Sequence, residues 1–116
     1  MIWIYVAATV IVLIGFMHSY LGETRIFPRL FRTDLSPFMR AIVRWAWHLT
    51  SVAWLGFSWQ LYTIAAGRPL GPIEVTRIIA TVFGLTGIVS LVASRGRHIA
   101  WPFLAIVAVA CWFGVR

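Results

Sequence analysis

His18, His48 and His98, with Glu23 five residues past the first of them, are the side chains of this sequence best suited to chemistry. Imidazole is a common metal ligand that is neutral near physiological pH, and a carboxylate adds compensating charge. His18, Glu23, His48 and His98 together make a four-ligand set for zinc or a similar divalent transition metal. No His-x-x-x-His or Glu-x-x-His pair occurs, so the ligands must come from separate helices, as they do in bundle sites. A b-type haem fits the same residues. His48 with His98, or with His18, would be its axial ligands, and Arg44, Arg95 or Arg97 would pair with the propionates. A plainer alternative treats each imidazole as an interfacial group whose polar tip stays in the wet zone, hydrogen-bonded to a neighbour or a headgroup. Depth favours chemistry, because His48 lies at least two turns past Ser36 and ionisable groups within apolar spans tend to face a bundle interior. No nucleophile paired with a base, glycine-rich phosphate loop or paired-cysteine zinc motif is evident, and an enzymatic role is left open.

The elements that position these residues are apolar runs at about residues 2–21, 37–66, 73–94 and 98–115, compared with the ~20 residues that a spanning helix needs. Gly22 is a candidate terminator of the first, and residues 23–35 form the one substantial loop, with Arg25, Arg29 and Arg32 among apolar neighbours. Ser36-Pro37 reads as N-cap and first helical residue. The run Gly67 to Pro72 reads as a turn, and Ser94 to Arg97 as a tight link between antiparallel neighbours. Pro102 either frees the His98 carbonyl inside a helix or sits in the first turn of one that begins near Trp101; the second is favoured. Ala80, Gly84 and Gly87, with Thr81 and Ser90, give the third run a small face suited to helix packing or to a seam between copies.

The chain has 116 residues, 61% hydrophobic and 11% charged, with seven Trp, and its mean hydropathy is +0.90. An ordinary soluble domain carries about a quarter charged residues, so this composition excludes disorder and points to a bilayer. The expected fold is all-α: a single polytopic domain over residues 1–116, built as an antiparallel four-helix transmembrane bundle. Net charge is +7, entirely from arginine. The arginines flank the apolar runs, which argues for anionic lipid headgroups and against nucleic acid. Arg25, Arg29, Arg32, Arg40, Arg44, Arg95 and Arg97 share one end, against Arg68, Arg77 and Arg116 at the other. The positive-inside rule then makes loop 23–35 cytoplasmic in a bacterial-type inner (plasma) membrane and puts both termini on the far side. The first run lacks a basic n-region and a small-x-small cleavage site, and is read as a retained helix rather than a signal peptide. Cys111 stands alone and reports no redox compartment. Two function classes follow. One is a metal- or haem-binding membrane protein using the histidines; the other is a non-catalytic structural or accessory subunit, within a homo-oligomer or a larger membrane complex, that uses only its surfaces.

Overall fold

A computed structural model describes residues 2–114; Met1, Val115 and Arg116, including the last residue of the expected fourth run, lie outside the described residues. The chain is all-α. Helix α1 covers Ile2–Leu21, a π-helical turn follows at Gly22–Ile26, and α2 covers Phe27–Leu30. Helices α3 (Pro37–Ala65), α4 (Pro72–Ala93) and α5 (Ala100–Phe113) complete it.

Gly22 does not stop the first helix. The π turn adds a residue, with the Phe27 N–H reaching back to the Gly22 carbonyl, and so rotates the following residues around the axis. That rotation turns Phe27 inward, where it is 1% exposed. Pro28, which has no N–H to place, falls where the ladder changes from π to α. The irregular link before α3 is therefore short. Ser36 caps α3 by accepting the Met39 N–H at 3.2 Å, and Pro37 supplies the preset first turn. Pro102 lies in the first turn of α5, which begins at Ala100, so the His98 carbonyl is not freed by a helix break.

The helices form a row, not a bundle. Packing runs α1 to α3, α3 to α4 and α4 to α5, and the Cα envelope measures 50 × 33 × 12 Å. Helices pack 8–10 Å apart, so 12 Å is about one layer of helices with slight curvature. Neighbours are antiparallel: Ser58 contacts Ala8, Ser51 lies beside Gly15, and Trp47 beside Gly22. Small residues every seventh position make the close approach possible. Ala8, Gly15 and Gly22 line α1 and its extension, Ser51, Ser58 and Ala65 line α3, and Ala80, Gly87 and the C-cap Ser94 line α4 and its end; all nine are buried. A seven-residue repeat keeps one side chain per two turns on the contact face, and small side chains let the backbones meet. Ser58 Oγ also donates to the Ala8 carbonyl at 2.8 Å across the α1–α3 seam.

The four-span transmembrane bundle is overturned. Among the described residues only Ile2–Leu30 and Pro72–Ala93 are long and apolar enough to cross a membrane. Helix α3 has the length but carries Arg40, Arg44 and His48, buries Ser51 and Ser58, and is ion-paired to Glu23. Helix α5 has 14 residues, or about 21 Å at 1.5 Å per residue, short of the ~30 Å hydrocarbon core. The multi-pass inner-membrane localisation, with both termini outside the cytoplasm, rested on four spans and falls with them.

Candidate functional site

The most connected polar cluster lies where the π turn meets α3. Thr24 ties the turn to α1 by donating to the Tyr20 carbonyl at 2.7 Å, and Glu23 faces the first half of α3. Glu23 Oε1 accepts from His48 Nε2 at 2.7 Å and from Arg44 Nε at 3.0 Å. Arg44 and His48 are four residues apart on α3, and so lie on one face. His48 Nδ1 is 2.8 Å from Ser19 Oγ, which in turn is 2.8 Å from Ser51 Oγ. A polar chain thus runs from buried Ser51 through Ser19, His48 and Glu23 to Arg44 at the rim. The ion pair is wet: Arg44 and Glu23 side chains are 52% and 42% exposed, so its Coulomb gain is screened.

Aromatic rings frame this chain. His18 stacks on Trp47 with centroids 4.3 Å apart and planes 2° from parallel, and Trp54 lies tilted by 54° at 5.2 Å. Trp47 Nε1 donates to the His18 carbonyl at 2.8 Å. Phe27 stands edge-on to both Trp47 and His48, and the Arg44 guanidinium lies 5.5 Å over the Phe27 and Phe31 rings. Gly22 is essential to this fit, because a Cβ there would collide with the Trp47 indole.

The expected metal centre is absent from this arrangement. Among the described residues no three of His, Cys, Asp and Glu come together to hold a metal ion. Of the four expected ligands only Glu23 and His48 meet, and both ring nitrogens of His48 are already occupied. The His18 ring faces tryptophan, and its Nε2 is buried without a partner. His98 belongs to another seam: its Nδ1 accepts the Ala100 N–H at 3.2 Å, in effect capping α5, with Ser90 Oγ at 3.4 Å and Trp45 at 5.2 Å.

The haem reading fails on the same geometry. His48 offers no free nitrogen, His98 spends Nδ1 on a helix end, and Arg44 is committed to Glu23. The cleft that includes His98, between Trp45 and Ser90, has essentially no interior volume, so no slot exists there for a macrocycle. Arg95 and Arg97 instead edge a separate cleft at the link between α4 and α5. The divalent-metal and haem b assignments are both withdrawn.

Ser19, Ser51, Trp47, Phe27 and Gly22 were not among the expected site residues. Ser19–His48–Glu23 has the composition of a hydroxyl–imidazole–carboxylate relay, which also needs a reacting position beside the hydroxyl. Ser19 Oγ instead abuts Ser51 inside the seam. The cleft that His48 lines, 70 Å³ in volume, faces α4 and excludes Ser19. The cluster therefore works as a clamp between helices. Comparison with known protein families, curated proteins and solved structures finds no match to this chain.

Proposed function

We propose that the chain is a non-catalytic structural or accessory subunit of a larger membrane complex, working through its helix faces, with α1 and α4 as the helices suited to apolar surroundings. The observation that carries this reading is the unclosed layer. Among the described residues only Ala8, Phe27, Ala65 and Ala80 are buried hydrophobic side chains, while large ones such as Trp3, Phe16, Ile88, Val92 and Phe103 are more than half exposed. The accessible surface of 7952 Å² exceeds the ~6,400 Å² expected of a compact 13.1 kDa monomer by on the order of 1,500 Å². An excess of that size is comparable to a standard protein interface, and an apolar one favours cover by other subunits or lipid tails. The polar groups support the same reading, since the most connected of them tie helix to helix.

Native electrophoresis after extraction in a mild detergent tests the assignment. The chain is expected in the membrane fraction, migrating in an assembly several times its 13.1 kDa mass. Recovery as a monodisperse monomer from aqueous buffer without detergent would overturn it.

A further inference from the structure

Helices α3 and α4 end in the same hydrogen-bonded motif but with different residues at its critical position. At the end of α3, Arg68 N–H donates to the Thr63 carbonyl at 2.9 Å and Gly67 N–H to the Ile64 carbonyl at 3.0 Å. At the end of α4, Gly96 N–H donates to the Leu91 carbonyl at 2.8 Å and Arg95 N–H to the Val92 carbonyl at 3.2 Å. Both are Schellman closures, in which the residue after the cap adopts a left-handed conformation that favours glycine. α3 uses Gly67 there, at φ 69°, and α4 uses Arg95, at φ 51°. A side chain in that conformation is strained, because its Cβ crowds the following carbonyl oxygen.

The turn that carries Arg95 is pinned. Ser94 Oγ donates to the Ser90 carbonyl at 2.6 Å and accepts the His98 N–H at 3.1 Å, while Trp101 Nε1 donates to the Gly96 carbonyl at 3.2 Å. Arg95 and Arg97 therefore project from a fixed backbone. They edge a 270 Å³ cleft whose other walls are Pro37, Phe38, Ala93 and Ser94. At ~30 Å³ per water this is ample for a tetrahedral oxyanion. The first turn of α3 forms the opposite wall, and the positive end of a 29-residue helix favours an anion. Of the carbonyls at the end of α4, which would repel one, those of Val92, Leu91 and Ser90 are occupied by the Arg95 and Gly96 N–H groups and the Ser94 hydroxyl. Among the described residues both ion pairs are made by Glu23, to Arg44 and His48, so no carboxylate neutralises Arg95 or Arg97.

We infer that this cleft binds a phosphate monoester or free phosphate, held by the Arg95 and Arg97 guanidinium groups. Planar guanidinium forks match phosphate oxygens, and two of them on a rigid turn lose little freedom on binding. The phosphate belongs either to a lipid headgroup or to a free anion. The cleft is complete in the single chain and requires no partner subunit, so its test is independent of the assembly proposed above.

The full chain in neutral detergent is titrated with dioleoyl phosphatidic acid and with dioleoyl phosphatidylcholine, read as retained adducts in native mass spectrometry. Inorganic phosphate is titrated alone, read by ³¹P line broadening. Phosphatidic acid or free phosphate is expected to bind and phosphatidylcholine to wash out; adducts that survive excess phosphate assign the headgroup, and their displacement assigns the free anion. Arg95→Gly and Arg97→Gln are each expected to weaken binding about tenfold. Arg25→Gln/Arg29→Gln, which removes more charge from the same end, is expected to leave it within about twofold. Arg95→Gly also separates binding from folding, since glycine suits φ 51° and its thermal midpoint should match or exceed the parent's. No binding of either phosphate probe, unchanged binding in both cleft variants, or equal loss in the Arg25/Arg29 variant would overturn the inference.

Discussion

Gly22 and Glu23 are adjacent, yet they govern different physics. Glu23 joins the exposed, screened end of the polar chain, where ion pairs contribute between zero and about 1 kcal/mol. Gly22 meets the Trp47 ring, which is held by its bond to the His18 carbonyl and its stack on the His18 imidazole. A methyl group there displaces an indole with two fixed partners, an overpacking cost of roughly 1–3 kcal/mol. Gly22→Ala is therefore expected to lower the thermal midpoint, followed by far-ultraviolet circular dichroism, by clearly more than Glu23→Gln does. The reverse order would mean that charge, and not close approach, holds α1 to α3. The buried, unpartnered Nε2 of His18 fits this picture: its ring is kept by stacking on Trp47, with Trp54 tilted against it, despite a polar atom left without a bond.

At the scale of elements, small residues every seven positions set how closely each pair of helices meets. The α4–α5 seam offers a graded test within one helix. A Cβ at Gly87 would come within 3.3 Å of the Leu104 Cβ, with α5 backbone atoms behind it, whereas one at Gly84 would meet the Ala108 Cβ at an ordinary 3.6 Å. Gly87→Ala must push α5 outward, and it is expected to destabilise by about 1 kcal/mol or more. Gly84→Ala gains helix propensity at little steric cost and is expected to be neutral or stabilising, by up to ~1 kcal/mol. Denaturant midpoints of the two variants against the parent check both signs. The α1–α2 junction illustrates a different device, in which one added residue in a π turn reorients Phe27 without ending the helix.

For the whole molecule, the decisive feature is that four long elements lie in a row. A closed bundle has an interior where side chains from every helix can converge, and a row has only pairwise seams. His18 and His48 reach the α1–α3 seam, His98 lies at the α4–α5 link, and α3 and α4 stand between. Removing divalent ions with a strong chelator is therefore expected to leave the thermal midpoint unchanged. A drop of several degrees that added zinc reverses would show that the histidines reach a common ion after all. The layer also exposes apolar side chains on both of its faces, which is why the proposed role lies in surfaces.

Composition and periodicity alone determined that the chain is all-α and that Ser36 and Pro37 start a helix, because each depends on local propensity or position along the chain. The seven-residue spacing of Ala8, Gly15 and Gly22, and of Ser51, Ser58 and Ala65, was also present in the sequence, and it is the signal that marks the packing seams. Only the tertiary structure decided where the histidines go. Position in a helix gives height at about 1.5 Å per residue, and three imidazoles near one end share a height without sharing a direction. Direction depends on the rotation of each helix about its axis, on a π turn with no dedicated sequence mark, and on which helix lies beside which. Those are set by non-local packing, which placed Ser19 and Glu23 against His48 and sent His98 to cap α5.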